Sequence, residues 1–93
     1  MNTMTLEIAR DWVQSVFNTI RPDFPKVNFG LSETQPNTYD LVFVVDGSQR
    51  RIKVAIAAVT LIEIAEGNET IRNEVAEAIV ALAHDSGWVN KPE

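Results

Sequence analysis

Few side chains in this sequence have reactive potential. There is one histidine, His84, and no cysteine, so thiol nucleophiles, thiolate metal sites and disulfides are excluded and a single imidazole is left for acid–base work. His84 precedes Asp85, but neighbours in a helix project about 100° apart, so they do not make a base and its orienting carboxylate. A lone histidine in the last turn of a helix is accounted for by its interaction with the carbonyl end of the helix dipole. Glu63 and Glu66 stand one turn apart, the spacing of a carboxylate pair, yet on a surface helix such pairs are ordinarily just solvated. The same glutamates lack the acidic loop spacing of a calcium site and any histidine at i+4. No glycine-rich phosphate loop is present either. The expectation is therefore a protein without catalysis, metal or cofactor, with a minor carboxylate-dependent enzyme as the remote alternative.

Charge distribution is more informative. Formal net charge is −5, and between Thr60 and Asp85 six acids (Glu63, Glu66, Glu69, Glu74, Glu77, Asp85) face one base, Arg72. That segment carries the whole excess, since the rest of the chain is balanced. An acidic segment of this kind repels phosphate backbones and attracts basic partners at low ionic strength. Glu63, Glu66, Glu69, Glu74 and Glu77 are accordingly the candidate partner-binding residues. The one basic cluster, Arg50, Arg51 and Lys53, has no interleaved aromatics and reads as edge-strand protection.

The element that organises the chain is Tyr39 to Ile56, YDLVFVVDGSQRRIKVAI, a β-hairpin turning at Asp46-Gly47, where glycine tolerates the positive φ such turns need. A two-residue loop sets Asp40 opposite Lys53; a four-residue loop slides the pairing by two positions but keeps every side chain on its face. Tyr39, Leu41, Phe43, Ile52, Val54 and Ile56 then form a core face. Asp40, Val42, Val44, Arg51, Lys53 and Ala55 form a half-polar face, of which Val42, Val44, Arg51 and Lys53 are candidate contacts for a partner or a symmetric dimer.

Upstream, Leu6, Ala9, Val13, Val16, Phe17 and Ile20 recur at helical spacing, predicting an amphipathic helix capped by Thr3 or Thr5, with Glu7 in its first turn, and ended by Arg21-Pro22. Ile8 and Trp12 sit round from the stripe's centre. They either fold over the edge of the core, the favoured reading, or form a small exposed contact patch. Val27, Phe29 and Leu31 alternate as a first strand, followed by the polar loop Ser32–Thr38. After the hairpin, Thr60 and Glu63 have capping-box spacing, so a short helix is expected from Leu61 to Gly67, against the β-branched residues around it. Asn68 caps a last helix with the stripe Ile71, Val75, Ala78, Ile79, Leu82 and Ser86; Gly87 supplies its left-handed cap, with Trp88 in hydrophobic contact.

With 93 residues and 45% apolar content, one domain spanning residues 1–93 is expected. It is a two-layer α+β fold: a three-stranded antiparallel meander with N- and C-terminal helices on one face, in the order α-β-β-β-(α)-α. The absence of cysteine suits a cytoplasmic setting, no apolar run is long enough to span a membrane, and the N-terminus does not read as a signal peptide.

In order of elements the chain resembles the double-stranded RNA-binding domain. That family grips phosphates with basic residues at the start of its last helix; the matching stretch here, Asn68 to Glu74, has the opposite sign, so direct nucleic-acid binding is not expected. In size, acidity and helix-then-meander order, the chain loosely resembles some anti-CRISPR inhibitors, a resemblance that rests on no shared motif. It implies a bacterial or phage regulator that binds a basic, nucleic-acid-binding protein. The alternative is a homodimeric secretion-type chaperone or adaptor, which would use the open sheet face.

Overall fold

The computed structural model describes residues 2–44 and 51–85, without the side chains of Val44, Arg51, Ile52 and Asp85. The first helix, α1 (Thr3–Ile20), is opened by Asn2, whose Oδ1 accepts the Thr5 N–H at 2.8 Å. The cap is thus one residue upstream of the expected threonines, and Glu7 falls beyond the first turn. At the other end the Arg21 N–H donates to Phe17 O at 2.9 Å before Pro22 stops the helix. The inward face buries Ala9, Val13 and Phe17 completely.

Three strands follow: β1 (Asn28–Leu31), β2 (Thr38–Val44) and β3 (Arg51–Ala57), in the order β1-β2-β3 with both pairings antiparallel. The β2–β3 register sets Tyr39 opposite Ile56, Leu41 opposite Val54 and Phe43 opposite Ile52. This is the register of the longer loop. Asp40 therefore faces Ala55 across the ladder, and its ion pair with Lys53 (3.7 Å) runs diagonally. The expected turn at Asp46-Gly47 lies outside the described residues.

Leu31, expected in the core, is 72% exposed. Its neighbour Phe29 packs against the cluster of Ala9, Leu61 and Ile64, and one step further along β1, past the start of α1, no described residue covers the strand.

A second helix, α2 (Ala58–Glu66), begins three residues earlier than expected and without a loop. The Ala58 N–H still donates to Asn37 O at 2.8 Å, so the last ladder bond comes from the helix's first residue. Thr60 lies inside the helix and Ala57, with no side-chain cap, precedes it, so the capping box does not form. Burial of Leu61 and Ile64 against Ala9 overrides the β-preference of the branched residues. Gly67 ends the helix at φ 86°. There the Asn68 N–H reaches Glu63 O (3.0 Å) and the Gly67 N–H reaches Ile64 O (3.1 Å), a Schellman motif. Asn68 then caps α3 (Glu69–Asp85), its Oδ1 accepting the Ile71 N–H at 3.3 Å. The C-terminal cap expected at Gly87 and Trp88 lies outside the described residues.

All three helices pack on one face of the sheet. One core cluster joins Val13 and Phe17 of α1, Leu41 and Phe43 of β2, Phe24, Val27 and Ile79 of α3. At its centre Phe17 stacks on Phe24 (centroids 4.5 Å apart) and both rings meet Phe43 at 5.4 and 5.6 Å. The second cluster is Ala9, Leu61 and Ile64, locking α2 to the N-terminal half of α1. No helix among the described residues is long and apolar enough to cross a membrane.

Candidate protein-interaction surface

The acidic residues are carried by α2 and α3, joined only by Gly67 and Asn68, so the glutamates of both helices belong to one continuous stretch. Glu66, Glu69, Glu74 and Glu77 are exposed, and Glu63 is half-buried. On α3 the exposed Glu69, Asn73 and Glu77 recur at i, i+4 and i+8, tracing one line along the helix away from the buried Ile79 and Ala83. None of these glutamates has an ion pair among the described residues, where the pairs are Arg10–Asp11, Arg21–Asp23 and Lys53–Asp40.

The segment's single base is turned inward. Arg72 donates from Nε (3.0 Å) and Nη2 (2.8 Å) to Ile64 O, near the end of α2. Its guanidinium also lies 5.5 Å from the centre of the Trp12 ring on α1. One side chain thereby ties three helices together and contributes nothing to neutralising the outer face.

Candidate contacts on the other elements are dispersed. Ile8 is 44% exposed, whereas Trp12, one turn on, is half-buried against both core clusters. On the open sheet face Val42 is half-buried and Lys53 is exposed; the side chains of Val44 and Arg51 lie outside the description. His84 is half-buried in the last turn of α3, and the side chain of its neighbour Asp85 is not described. Among the described residues no three His, Asp or Glu side chains gather into a group that could hold a metal ion.

The structure adds one feature that the sequence pattern does not show. Between β3 and α3 runs a trough of about 280 Å³. Val54, Ile56 and Leu41 form its floor, Val75, Ala78 and Leu82 of α3 form its far wall, and Ala55 and Ala57 lie along the strand edge. These apolar side chains look like ordinary core on helical and strand periodicity. α2 follows β3 without a linker and packs against Ala9 of α1, and the trough remains between the strand and α3. The only sequence sign of this is the small-residue run Ala55, Ala57, Ala58, which marks a strand edge without bulk. No family model, no curated protein and no solved structure matches this chain.

Proposed function

We propose that this chain is a non-catalytic, acidic protein-binding module. It regulates or inhibits a basic target by laying the glutamates of α2 and α3 against a cationic surface of that target. In its sharpest form the target's cationic surface is one that would otherwise hold nucleic acid, as for inhibitors that mobile elements direct at host nucleases.

The observation that carries this reading is the pairing of exposed, unneutralised Glu66, Glu69, Glu74 and Glu77 with an Arg72 committed to the fold. Charges left unpaired on a rigid helix pair strengthen association with an oppositely charged partner and speed its encounter.

The test is a pull-down from nuclease-treated bacterial lysate with the wild-type chain and a Glu69→Lys/Glu74→Lys/Glu77→Lys variant as parallel baits. Retention of a basic protein by the wild type and its loss with the variant supports the reading, as does release by moderate salt. If both baits hold the same proteins, or neither holds any, the acidic face is solvated surface and the reading fails.

A further inference from the structure

Among the described residues the outer edge of β3 is open. The Ala58 N–H donates to Asn37 O, which fixes the alternation of the antiparallel ladder: Ile56 and Val54 turn their backbone groups toward β2, while Ala57, Ala55 and Lys53 turn theirs away. Among the described residues β3 has no neighbour on that side, so the Ala55 N–H and C=O point outward from the sheet.

Edges of this kind are usually blunted by lysine, proline or a bulge. Here the basic residues lie at the start of β3, where Lys53 stays exposed while 3.7 Å from Asp40 on the open face, and the stretch beside the trough carries only the exposed alanines Ala55 and Ala57. Directly beside the edge lies the apolar trough under α3. At about 280 Å³ it falls just below the roughly 300–1,000 Å³ of sites that enclose whole small molecules. It suits a few apolar side chains entering from an adjoining backbone.

We propose that an extended segment of the basic partner adds to β3 as a fourth strand, pairing with the outward N–H and C=O of Ala55. Every second side chain of the segment is apolar and enters the trough against Ala78 and Leu82, and lysines or arginines at flanking positions meet Glu74 and Glu77. Strand addition divides recognition in this way, with main-chain bonds supplying affinity and alternate side chains supplying selectivity. Charge selects the occupant. A second copy of this chain paired through the same edge would bring two acidic α3 helices together, whereas a basic segment meets them with the opposite sign. The inference rests on the reading of the acidic face given above and adds where and how the partner binds.

The test uses the full chain and a short fluorescein-labelled peptide of alternating lysine and valine, with a glutamate–valine counterpart as control. Binding is followed by fluorescence anisotropy, and hydrogen exchange of the Ala55 amide is followed by NMR. The lysine–valine peptide is expected to bind and to slow exchange at Ala55 in the wild-type chain, a readout that needs no variant. Ala55→Pro, which removes an outward-facing donor at an edge position where proline is tolerated, is expected to weaken binding about tenfold with the thermal midpoint little changed. Ala78→Phe, which fills the trough, should weaken it as well.

Equal binding by wild type and Ala55→Pro, with loss only in Glu74→Lys/Glu77→Lys, overturns strand addition and leaves the acidic-face reading standing. No binding of the peptide by any variant also overturns strand addition, while the pull-down decides the acidic-face reading independently. A wild-type chain that sediments as a dimer and becomes monomeric on Ala55→Pro has a second copy as its occupant, and the basic segment is ruled out. An Ala55 amide already protected in a monomer without peptide means the edge is covered from within, which overturns the proposal too.

Discussion

Arg72 and Trp12 meet with the guanidinium 5.5 Å from the ring centre, and the same guanidinium caps the carbonyl of Ile64 through two nitrogens. A planar fork that donates twice while stacking on an aromatic face is a role arginine can fill and lysine cannot. Charged hydrogen bonds of this type contribute about 1.5–3 kcal/mol and a partly exposed cation–π contact about 0.5–1 kcal/mol. Arg72→Ala is expected to lower the denaturant midpoint substantially, by the equivalent of about 2–3 kcal/mol. Arg72→Lys should recover less than half of that loss. Equal stability of the lysine variant and the wild type would remove the fork from the account.

Gln14 fastens the connector between α1 and β1. Its Oε1 accepts the Val27 N–H at 2.8 Å and its Nε2 donates to Pro25 O at 3.2 Å. Val27 is fully buried, so truncating Gln14 leaves a donor with no substitute partner in a part-buried site. Gln14→Ala is expected to cost about 1–3 kcal/mol. Asn18 donates to Pro22 O (2.9 Å) in an exposed site and accepts from Gln14 Nε2 (3.2 Å); it should cost less when truncated, because water reaches the Pro22 carbonyl and Gln14 Nε2 keeps its bond to Pro25 O. Urea titration of both variants gives the ordering, and a reversed order would mean that the connector is held by Phe24 and Val27 packing alone.

The two described glycines differ sharply in what they should tolerate. A Cβ at either Gly67 or Gly30 meets nothing within 4 Å, so sterics do not separate them. Gly67 sits at φ 86° in the Schellman turn, and an L-residue there costs roughly 1–2 kcal/mol. Gly30 has ordinary strand geometry, where alanine restricts the unfolded chain and gains about 0.4–1 kcal/mol. Gly67→Ala should therefore lower the thermal midpoint and Gly30→Ala should raise it. Shifts of the same sign in both would remove backbone conformation from the account of these positions.

Much of this architecture was legible in residue pattern because the determining interactions are local. Leu6, Ala9, Val13 and Phe17 are spaced for a helix face, Pro22 forbids its continuation, and Gly67 followed by Asn68 is at once the end of one helix and the cap of the next. The strand faces were readable for a similar reason, since alternation survives a shift of register by two. The start of α2 was not legible. Val59, Thr60, Ile62 and Ile64 favour strands locally, and only the tertiary burial of Leu61 and Ile64 makes the segment helical. The exposure of Leu31 depends on where α1 begins above β1. Likewise, the trough depends on how α3 sits against β3, so Val54, Ile56, Ala78 and Leu82 were readable as apolar but not as partly uncovered. The acidic stretch was visible as composition, whereas the withdrawal of Arg72 from it depends on tertiary contacts with Ile64 and Trp12.

Charge reversal on the outer face should leave the fold intact, which is what makes it a fair probe of binding. Glu69 stands in the first turn of α3, where a carboxylate is favoured by about 0.3–1 kcal/mol and a lysine is disfavoured. Glu74 and Glu77 are exposed beyond that turn and have no ion pair among the described residues, so reversing them breaks no bond. At the same time the three reversals move the formal charge from −5 through neutrality to about +1, which relieves self-repulsion in the compact state. The penalty at Glu69 and this relief oppose each other, and the triple variant is expected within about 1 kcal/mol of the wild type at low salt. Glu69→Lys alone should be the less stable of the two. Thermal melts at two ionic strengths check both statements: added salt should narrow the difference between Glu69→Lys and the wild type. A triple variant that melts far below the wild type would mean these glutamates hold the fold. Its failure to capture a partner would then say nothing about the acidic face, and Glu74→Lys/Glu77→Lys would have to carry that test.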